Sequence, residues 1–200
     1  MSQSPPERLP FFTIGHSDRT LEEFIDLLRA AGVQCVIDVR KLRGSRAHPH
    51  FNEDVLAQRL RAAGVAYESM PALAGRRPVS KDVPHQVNAA WRNRSFHNYA
   101  DWALSSEFAK AMAQLRDTGR TRATALMCSE AVWWRCHRRI IADHLLAAGE
   151  DVRHIMGGGR VVPAELSADA VVAAVVEAEG ATWGAVTYPP APDAEATRRL

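Results

Sequence analysis

The sequence has little of several features that define other classes of protein. Three cysteines at irregular spacing among 200 residues exclude a disulfide framework, so we expect a reducing, cytoplasmic location. No apolar run is long enough to span a bilayer, and the first residues carry no signal-peptide pattern. The formal net charge of +2 is close to balance and requires neither a nucleic acid nor a membrane as a partner. These absences predict a soluble intracellular protein that does not bind membranes.

Lysine is scarce too, since Lys41, Lys81 and Lys110 are the only lysines. The other basic residues are arginines, a bias typical of genome composition, although an arginine that lines a pocket is a good clamp for anions. Two hundred residues suit one domain with one core. We therefore expect a single domain over residues 1–200, with loose ends at 1–9 and 189–200.

Short apolar segments alternate with segments of helical periodicity along the chain. The predicted strands cover residues 11–14, 33–39, 65–67, 123–127 and 152–156. The predicted helices follow Thr20, follow Asn52, run from 99 to 115 with a break near Ser105, run from about Val132 to 148, and follow Ser167. This alternation predicts an α/β fold, a three-layer domain with a mainly parallel sheet of about five strands and helices on both faces.

One stretch, residues 69–98, has no regular pattern. An irregular segment of this length in a compact domain is typical of a functional lid or a flexible excursion, and its arginine and tryptophan content favours a lid. With neighbouring loops it forms a basic and aromatic set that suits phosphate and stacked bases, or that simply reflects an arginine-rich surface. The set comprises Arg40, Arg43, Arg46, Arg76, Arg77, Trp91, Arg92, Arg94, Phe96 and Tyr99.

Polar and reactive side chains follow three of the predicted strands. They are His16, Ser17, Asp38, Arg40, Cys128, Ser129 and Glu130. Because the carboxyl ends of parallel strands meet at one edge of a sheet, where ligands bind in this architecture, we expect these side chains to share one cleft. The helix predicted after Cys128 would add its positive end to the same cleft.

Each of these residues also has a purely structural interpretation. Asp38 could pair with an arginine to hold loops together, and His16 could cap a turn. Cys128 could be a small buried residue that closes its strand, as free cysteines often are. In a catalytic role, Cys128 would instead be a thiolate stabilised by arginines and by the start of the next helix. Glu130 or His16 would then transfer protons.

The motifs at the strand ends resemble the family called domain of unknown function 488. The resemblance rests on Gly15-His16-Ser17, Asp38-Val39-Arg40, Ser45-Arg46, Phe51-Asn52, Cys128-Ser129-Glu130 and Cys136-His137-Arg138. It runs from about Thr13 to Ile155. Arg43 stands where the family usually has proline, and Ala74 stands where the family has the first glycine of Gly-Gly-Arg, which concerns the shapes of two loops. The resemblance implies an α/β fold and a set of candidate residues, and it implies no activity.

A second similarity lies in layout only. A strand, Cys128, a loop, a helix, Gly149 and a further strand follow one another as in the C-terminal half of rhodanese-like domains. In those domains a cysteine in an anion-cradling loop carries sulfur or attacks phosphate. The loop here is longer, because six residues separate Cys128 from Arg135.

A zinc site formed by Cys128, Cys136, His137 and His16 is disfavoured by the predicted helix. Adjacent residues on a helix point about 100° apart, so Cys136 and His137 would not face one ion. We therefore expect no metal and no cofactor. A reversible disulfide between Cys128 and Cys136 stays open.

The sequence predicts a cytoplasmic enzyme, a hydrolase or transferase, with a cleft at the carboxyl edge of the sheet. Its substrate would be an anionic small molecule or a nucleic acid that carries phosphate. The predicted catalytic residues are Cys128, Glu130 and His16. The predicted substrate-binding residues are Ser17, Asp38, Arg40, Ser45, Arg46 and Arg138. The alternative is a non-catalytic module that binds nucleic acid through the basic and aromatic loops.

Overall fold

A six-stranded sheet forms the centre of the computed structural model, which describes residues 8–173, 176–178, 181–183 and 185–191. The strands are β1 (Phe11–Gly15), β2 (Cys35–Asp38), β3 (Ala66–Ser69), β4 (Thr124–Cys128), β5 (Val152–Ile155) and β6 (Val161–Pro163). Their spatial order is β3-β2-β4-β1-β5-β6. The first five strands are parallel, and β6 runs antiparallel to β5. The predicted mainly parallel sheet is confirmed, and β6 adds one strand to it.

Helices cover both faces of the sheet, as predicted. They are α1 (Leu21–Ala30), α2 (Glu53–Ala62), α3 (Arg94–Trp102), α4 (Ser106–Thr121) and α5 (Arg138–Ala147). Helices α1 and α2 pack through Phe24 and Leu56 into one buried cluster, and α3, α4 and α5 pack through residues such as Phe108 into a second. Successive residues of β1 alternate between the two, with Phe11 in one cluster and Phe12 in the other. The domain therefore has the three layers that the pattern indicated.

Side-chain caps set where two of the helices begin. The Thr20 hydroxyl accepts a hydrogen bond from the backbone N–H of Glu23 at 3.1 Å, and the Glu23 carboxylate accepts one from the N–H of Thr20 at 2.9 Å. This reciprocal pair is a capping box. The Ser105 hydroxyl likewise accepts from the N–H of Phe108 at the start of α4, so the predicted break near Ser105 is confirmed.

The helix predicted from Val132 begins later than expected. Residues Trp133–Arg135 form a single 3₁₀ turn, Cys136 is extended, and α5 begins only at Arg138. The buried Arg138 side chain donates a hydrogen bond to the Glu130 carbonyl oxygen at 2.6 Å. A continuous helix would place Arg138 about 9 Å along its axis from Val132. The 3₁₀ turn instead brings Arg138 back towards Glu130, so that the hydrogen bond to the Glu130 carbonyl oxygen can form.

The helix predicted after Ser167 is wrong. Val171–Val172 forms a short strand, β7, that pairs with Val186–Thr187, and Val176–Ala178 pairs with Ala181–Trp183. These pairs form two small antiparallel sheets, β7 with β10 (Val186–Thr187) and β8 (Val176–Ala178) with β9 (Ala181–Trp183). Branched valines favour strands, and they outweigh the helical spacing of the apolar residues. Ala174 and Val175, which the prediction placed on that helix, lie outside the described residues.

The irregular stretch from residue 69 to 98 is partly ordered by 3₁₀ turns at Pro71–Leu73 and His85–Asn88, and its last residues belong to α3. Most of the two predicted loose ends, residues 1–7 and 192–200, lies outside the described residues. Within the part of the chain that is described, no helix combines the length and apolar character needed to cross a membrane.

Candidate active site at the carboxyl edge of the sheet

A cavity of about 270 Å³ opens beyond the carboxyl ends of β2 and β4 and is bounded on its other side by the stretch from residue 69 to 98. Its basic lining side chains are Arg40, Lys41, Arg76 and Arg135. Cys128, Glu130, Cys136 and His137 line the same space. The cavity therefore joins positive charge to two sulfur atoms and an imidazole ring, a combination that suits an anionic ligand.

The sulfur atoms of the two cysteines lie within 4.8 Å of each other, and their interaction shifts the two pKa values in opposite directions. Burial by itself raises the pKa of the Cys136 thiol, but the hydrogen bond from Cys128 and the charge of Arg138 outweigh burial and lower this pKa to about 6. The hydrogen bond to Cys136, together with burial, raises the pKa of Cys128 to about 12. At neutral pH Cys136 is thus a thiolate and Cys128 a thiol. These pKa shifts favour Cys136, eight positions after Cys128, as the cysteine that ionises first.

Arg138 is the group that holds this thiolate. Its side chain is only 1% exposed, its Nε donates to Cys136 Sγ at 3.3 Å, and its terminal nitrogen donates to the Glu130 carbonyl oxygen. Within the described residues no carboxylate pairs with Arg138, so the Cys136 thiolate is its counter-ion. Arg138 was predicted to bind substrate. In the structure its side chain is not among those that line the cavity, and it contacts Cys136 Sγ.

Asp38 serves Arg40. Its carboxylate is fully buried and accepts hydrogen bonds from the Arg40 guanidinium, at 2.7 Å for the shortest, and from the Tyr67 hydroxyl at 2.8 Å. Arg40 also donates to the Phe51 carbonyl oxygen at 2.9 Å. The structural interpretation of Asp38 therefore fits its geometry: it fixes the direction of a guanidinium that lines the cavity.

His16 lies in the layer beneath Arg40, outside the cavity lining. Its ring stacks on Phe51 with 4.2 Å between ring centroids, and its Nδ1 lies 2.9 Å from the Ser17 carbonyl oxygen. Burial lowers the pKa of His16 to about 4, so the ring is neutral at pH 7. Its Nε2 approaches the Arg40 guanidinium at 3.4 Å. His16 supports Arg40 and does not reach the Cys136 sulfur side of the site.

The three remaining predicted ligands lie on loops outside the cavity lining. Ser17 has a left-handed backbone conformation, with a φ of 51°, and its hydroxyl donates to Asp18. Ser45 shapes the loop before α2, because its N–H donates to Asn52 and its hydroxyl accepts from the N–H of His48. Arg46 is exposed. None of these three side chains lines the cavity in the described structure.

Sequence reasoning missed His137 and Arg135 as site residues. His137 Nδ1 lies 3.7 Å from Cys136 Sγ, and the ring packs against Tyr99 with 4.8 Å between centroids. A Cβ atom at Gly75 would lie 2.8 Å from His137 Nδ1, so glycine at this position makes room for the ring. The adjacency of Cys136 and His137 is the available signal, but the helical periodicity predicts that the two side chains point apart.

The absence of that helix also removes the argument against a metal. Cys136 and His137 precede α5 and do not lie on one helix, and Cys136 Sγ lies 3.7 Å from His137 Nδ1. The sulfur atoms of Cys128 and Cys136 and a ring nitrogen of His137 all lie within 4.8 Å of one another. The predicted geometric obstacle to a shared ion was therefore wrong.

The irregular stretch forms one wall of the site through Gly75, Arg76, Ser95 and Phe96. Hydrogen bonds within the stretch hold its first part together, since Arg77 donates to the carbonyl oxygens of Pro71, Ala72 and Ala74. The Arg77 guanidinium also lies 3.9 Å above the Trp102 ring. The Tyr99 hydroxyl donates to the Leu73 carbonyl oxygen at 2.7 Å. These bonds anchor the beginning of the stretch, around residues 71–77, to α3.

The fold and the site define an α/β protein with a paired-cysteine centre at the carboxyl edge of a parallel sheet. The chain belongs to the family described as Domain of unknown function DUF488, which matches residues 20–145. The family resemblance is thereby confirmed, while the roles of the motif residues are not tested by it. Comparison with curated proteins and with solved structures gives no match, so the similarity in layout to rhodanese-like domains stays a prediction.

Proposed function

We propose that the protein is a cysteine-dependent enzyme, a hydrolase or transferase, that acts on an anionic, phosphate-bearing substrate in the cavity. The observation that carries the proposal is that Cys136, whose pKa is lowered by Cys128 and Arg138, lies on a cavity wall that also presents four basic side chains. The thiolate is the nucleophilic form of cysteine. A reducing compartment such as the cytoplasm would keep all three cysteines free, which is the state in this structure.

In this proposal Cys136 Sγ attacks the phosphorus atom of the bound anion, and the bond from phosphorus to the leaving group breaks. Arg40 and Arg135 hold the phosphate oxygens, for which the guanidinium fork is suited. Glu130, exposed at the cavity wall, transfers the proton between the leaving group and the water or acceptor that later frees Cys136. Cys128 stays a thiol and tunes Cys136 through its hydrogen bond.

Alkylating reagents of different charge test both halves of the proposal. A free thiolate reacts more slowly with iodoacetate than with iodoacetamide, because its charge repels the carboxylate. We expect Cys136 in the reduced, chelator-treated protein to react faster with iodoacetate than with iodoacetamide at pH 6.5. Peptide mass mapping identifies the alkylated cysteine and measures the extent of reaction. Arg135→Gln should slow the reaction with iodoacetate several-fold and leave the reaction with iodoacetamide unchanged. Arg46→Gln, an exposed arginine outside the cavity lining, is the matched control.

The proposal fails if Cys136 reacts no faster than Cys35 with either reagent at pH 6.5. It also fails if iodoacetate shows no preference for Cys136 and Arg135→Gln changes nothing. Cys35 is the internal reference because burial raises its pKa to about 11 and it lies at the start of β2, away from the cavity lining. A turnover assay with phosphate esters and nucleotides would then compare Cys136→Ser and Glu130→Gln with the wild type.

The alternative, a non-catalytic module for nucleic acid, finds less support in the aromatic side chains. The Trp102 ring is covered by Arg77, and the Trp91 ring stacks on Phe96 and faces Arg139 at 5.0 Å. These faces are occupied within the protein and are not offered to bases. The alternative would gain ground if Cys128→Ser and Glu130→Gln left cellular function intact while Arg46→Ala with Arg76→Ala abolished it.

A further inference from the structure

Three ligand atoms of the soft, metal-binding kind converge on the inner wall of the cavity. They belong to Cys128, Cys136 and His137, and all lie within 4.8 Å of one another. Cys128 is 6% exposed and Cys136 is 2% exposed, and both face the cavity. The arrangement thus has protein on one side and an open space of about 270 Å³ on the other.

One separation in the cluster matches that expected around a tetrahedral ion, and the others lie within an upper limit of 4.8 Å. Zinc bonds of about 2.3 Å to sulfur and 2.0–2.1 Å to nitrogen place two ligand atoms roughly 3.6 Å apart, and two sulfur ligands roughly 3.8 Å apart. The observed distance from Cys136 Sγ to His137 Nδ1 is 3.7 Å. The third ligand atom, Cys128 Sγ, lies within the same 4.8 Å limit of both.

The surroundings hold the ligands in place. The Arg138 guanidinium donates to Cys136 Sγ from behind, as outer-shell donors do to metal thiolates, and Gly75 and Tyr99 fix the His137 ring. The Nε2 atom of His137 is buried and has no hydrogen-bond partner among the described residues.

We propose that Cys128, Cys136 and His137 bind one thiophilic divalent cation, such as Zn²⁺, and leave its fourth position open to the cavity. Three protein ligands and one open position are typical of zinc sites at which a water or a substrate binds. The ion takes the place of the Cys128 thiol proton, so binding releases at least one proton. This inference goes beyond the proposed function, because a bound ion and a covalent substrate compete for Cys136. The metal-loaded protein is then the form in which thiolate attack is blocked.

Metal titration of the reduced full-length protein tests the site. After chelator treatment and buffer exchange, Co²⁺ or Cd²⁺ is added and the thiolate-to-metal charge-transfer absorption is followed, with Zn²⁺ used as the competitor. We expect one equivalent of metal to saturate the band and one equivalent of Zn²⁺ to abolish it. Cys128→Ser and Cys136→Ser should each weaken binding by at least about tenfold, the scale of losing even an outer-shell partner. His137→Gln should weaken binding while retaining a band.

Cys35→Ala is the matched control, since Cys35 lies on β2 outside the cluster, and it should bind as the wild type does. Because a serine variant can lose its fold, circular dichroism accompanies each titration. Zn²⁺ protection of Cys128 and Cys136 from alkylation in the wild type gives a second readout. The inference is overturned if no charge-transfer band forms at one equivalent, or if both serine variants fold and still bind. Alkylation of the metal-free protein tests the thiolate separately, so the two proposals can fail independently.

Discussion

At the scale of single residues, two buried arginines organise the site. Arg40 is 4% exposed and is neutralised by Asp38, while Arg138 is 1% exposed and is neutralised by the Cys136 thiolate. A guanidinium removed from water requires an anionic partner and satisfied hydrogen bonds. The first arginine lines the cavity, and the second, together with Cys128, lowers the pKa of the Cys136 thiol. The two arginines thus have different anionic partners, a carboxylate for Arg40 and a cysteine sulfur for Arg138.

Asp38→Asn should destabilise the protein strongly. The substitution leaves the Arg40 guanidinium buried without its counter-charge, and breaking a buried ion pair in this way costs about 3–5 kcal/mol. Urea denaturation at pH 7 measures the change in the free energy of unfolding. Tyr67→Phe removes only one neutral donor to the same carboxylate and should cost about 1–3 kcal/mol. Equal costs for the two variants would contradict the assignment of Asp38 as the partner of Arg40.

At the scale of elements, the end of β1 sets the position of the loop after β4. The two strands are parallel neighbours with Gly15 opposite Cys128, and the N–H of His16 donates to the Cys128 carbonyl oxygen at 2.9 Å. A Cβ atom at Gly15 would overlap the carbonyl group of Glu130. That carbonyl group also anchors Arg138. The absence of a side chain at Gly15 therefore lets the Glu130 carbonyl group take the position from which it accepts the hydrogen bond of Arg138.

Gly15→Ala should disturb both stability and the thiol pair. Overpacking of this kind costs about 1–3 kcal/mol, and displacing Glu130 weakens the hold of Arg138 on Cys136. We expect a lower urea midpoint and a higher pKa of Cys136. Gly44→Ala is the control, because a Cβ atom there meets nothing closer than 3.9 Å and should change stability by no more than about 0.5 kcal/mol. Indistinguishable results for the two variants would refute this role of Gly15.

At the scale of the whole molecule, three buried histidines link folding to pH. Burial lowers the pKa of His16 to about 4, of His144 to about 3 and of His154 to about 4. In the unfolded chain these groups bind protons near pH 6.5. Between pH 6.5 and 4 the unfolded state therefore binds more protons than the folded state, and stability falls as the pH falls.

Each such histidine contributes up to about 1.4 kcal/mol of lost stability per pH unit over this range. We expect the free energy of unfolding, measured in urea at pH 7.5 and pH 5, to be lower at pH 5. His144→Leu, which replaces a side chain buried in the core by an apolar one, should lose less stability between the two pH values than the wild type. The same loss in both proteins would contradict the stated cause.

The sequence predicted the parts of this molecule that depend on local signals. Strand β1 and helix α1 could be located because their signals lie in neighbouring residues. These signals are the alternation of Phe11 and Phe12 and the capping box at Thr20. The conformation of Cys136 depends on a buried contact between Arg138 and Glu130 that helical periodicity does not report. The identity of the thiolate depends on Cys128, which is eight positions earlier in the chain. Local pattern therefore indicated which strand ends come together, but not which cysteine has the lower pKa.

The central claim is that Cys136 is a thiolate at neutral pH, and a pH titration of thiolate ultraviolet absorbance tests it most directly. With a pKa of about 6, the wild-type protein should gain one thiolate between pH 5 and 7, well below the usual range near pH 8.5. The step should disappear in Cys136→Ser and move to higher pH in Cys128→Ser. A wild-type protein that gains no thiolate below pH 8, or a low-pH step that survives in Cys136→Ser, would contradict the account.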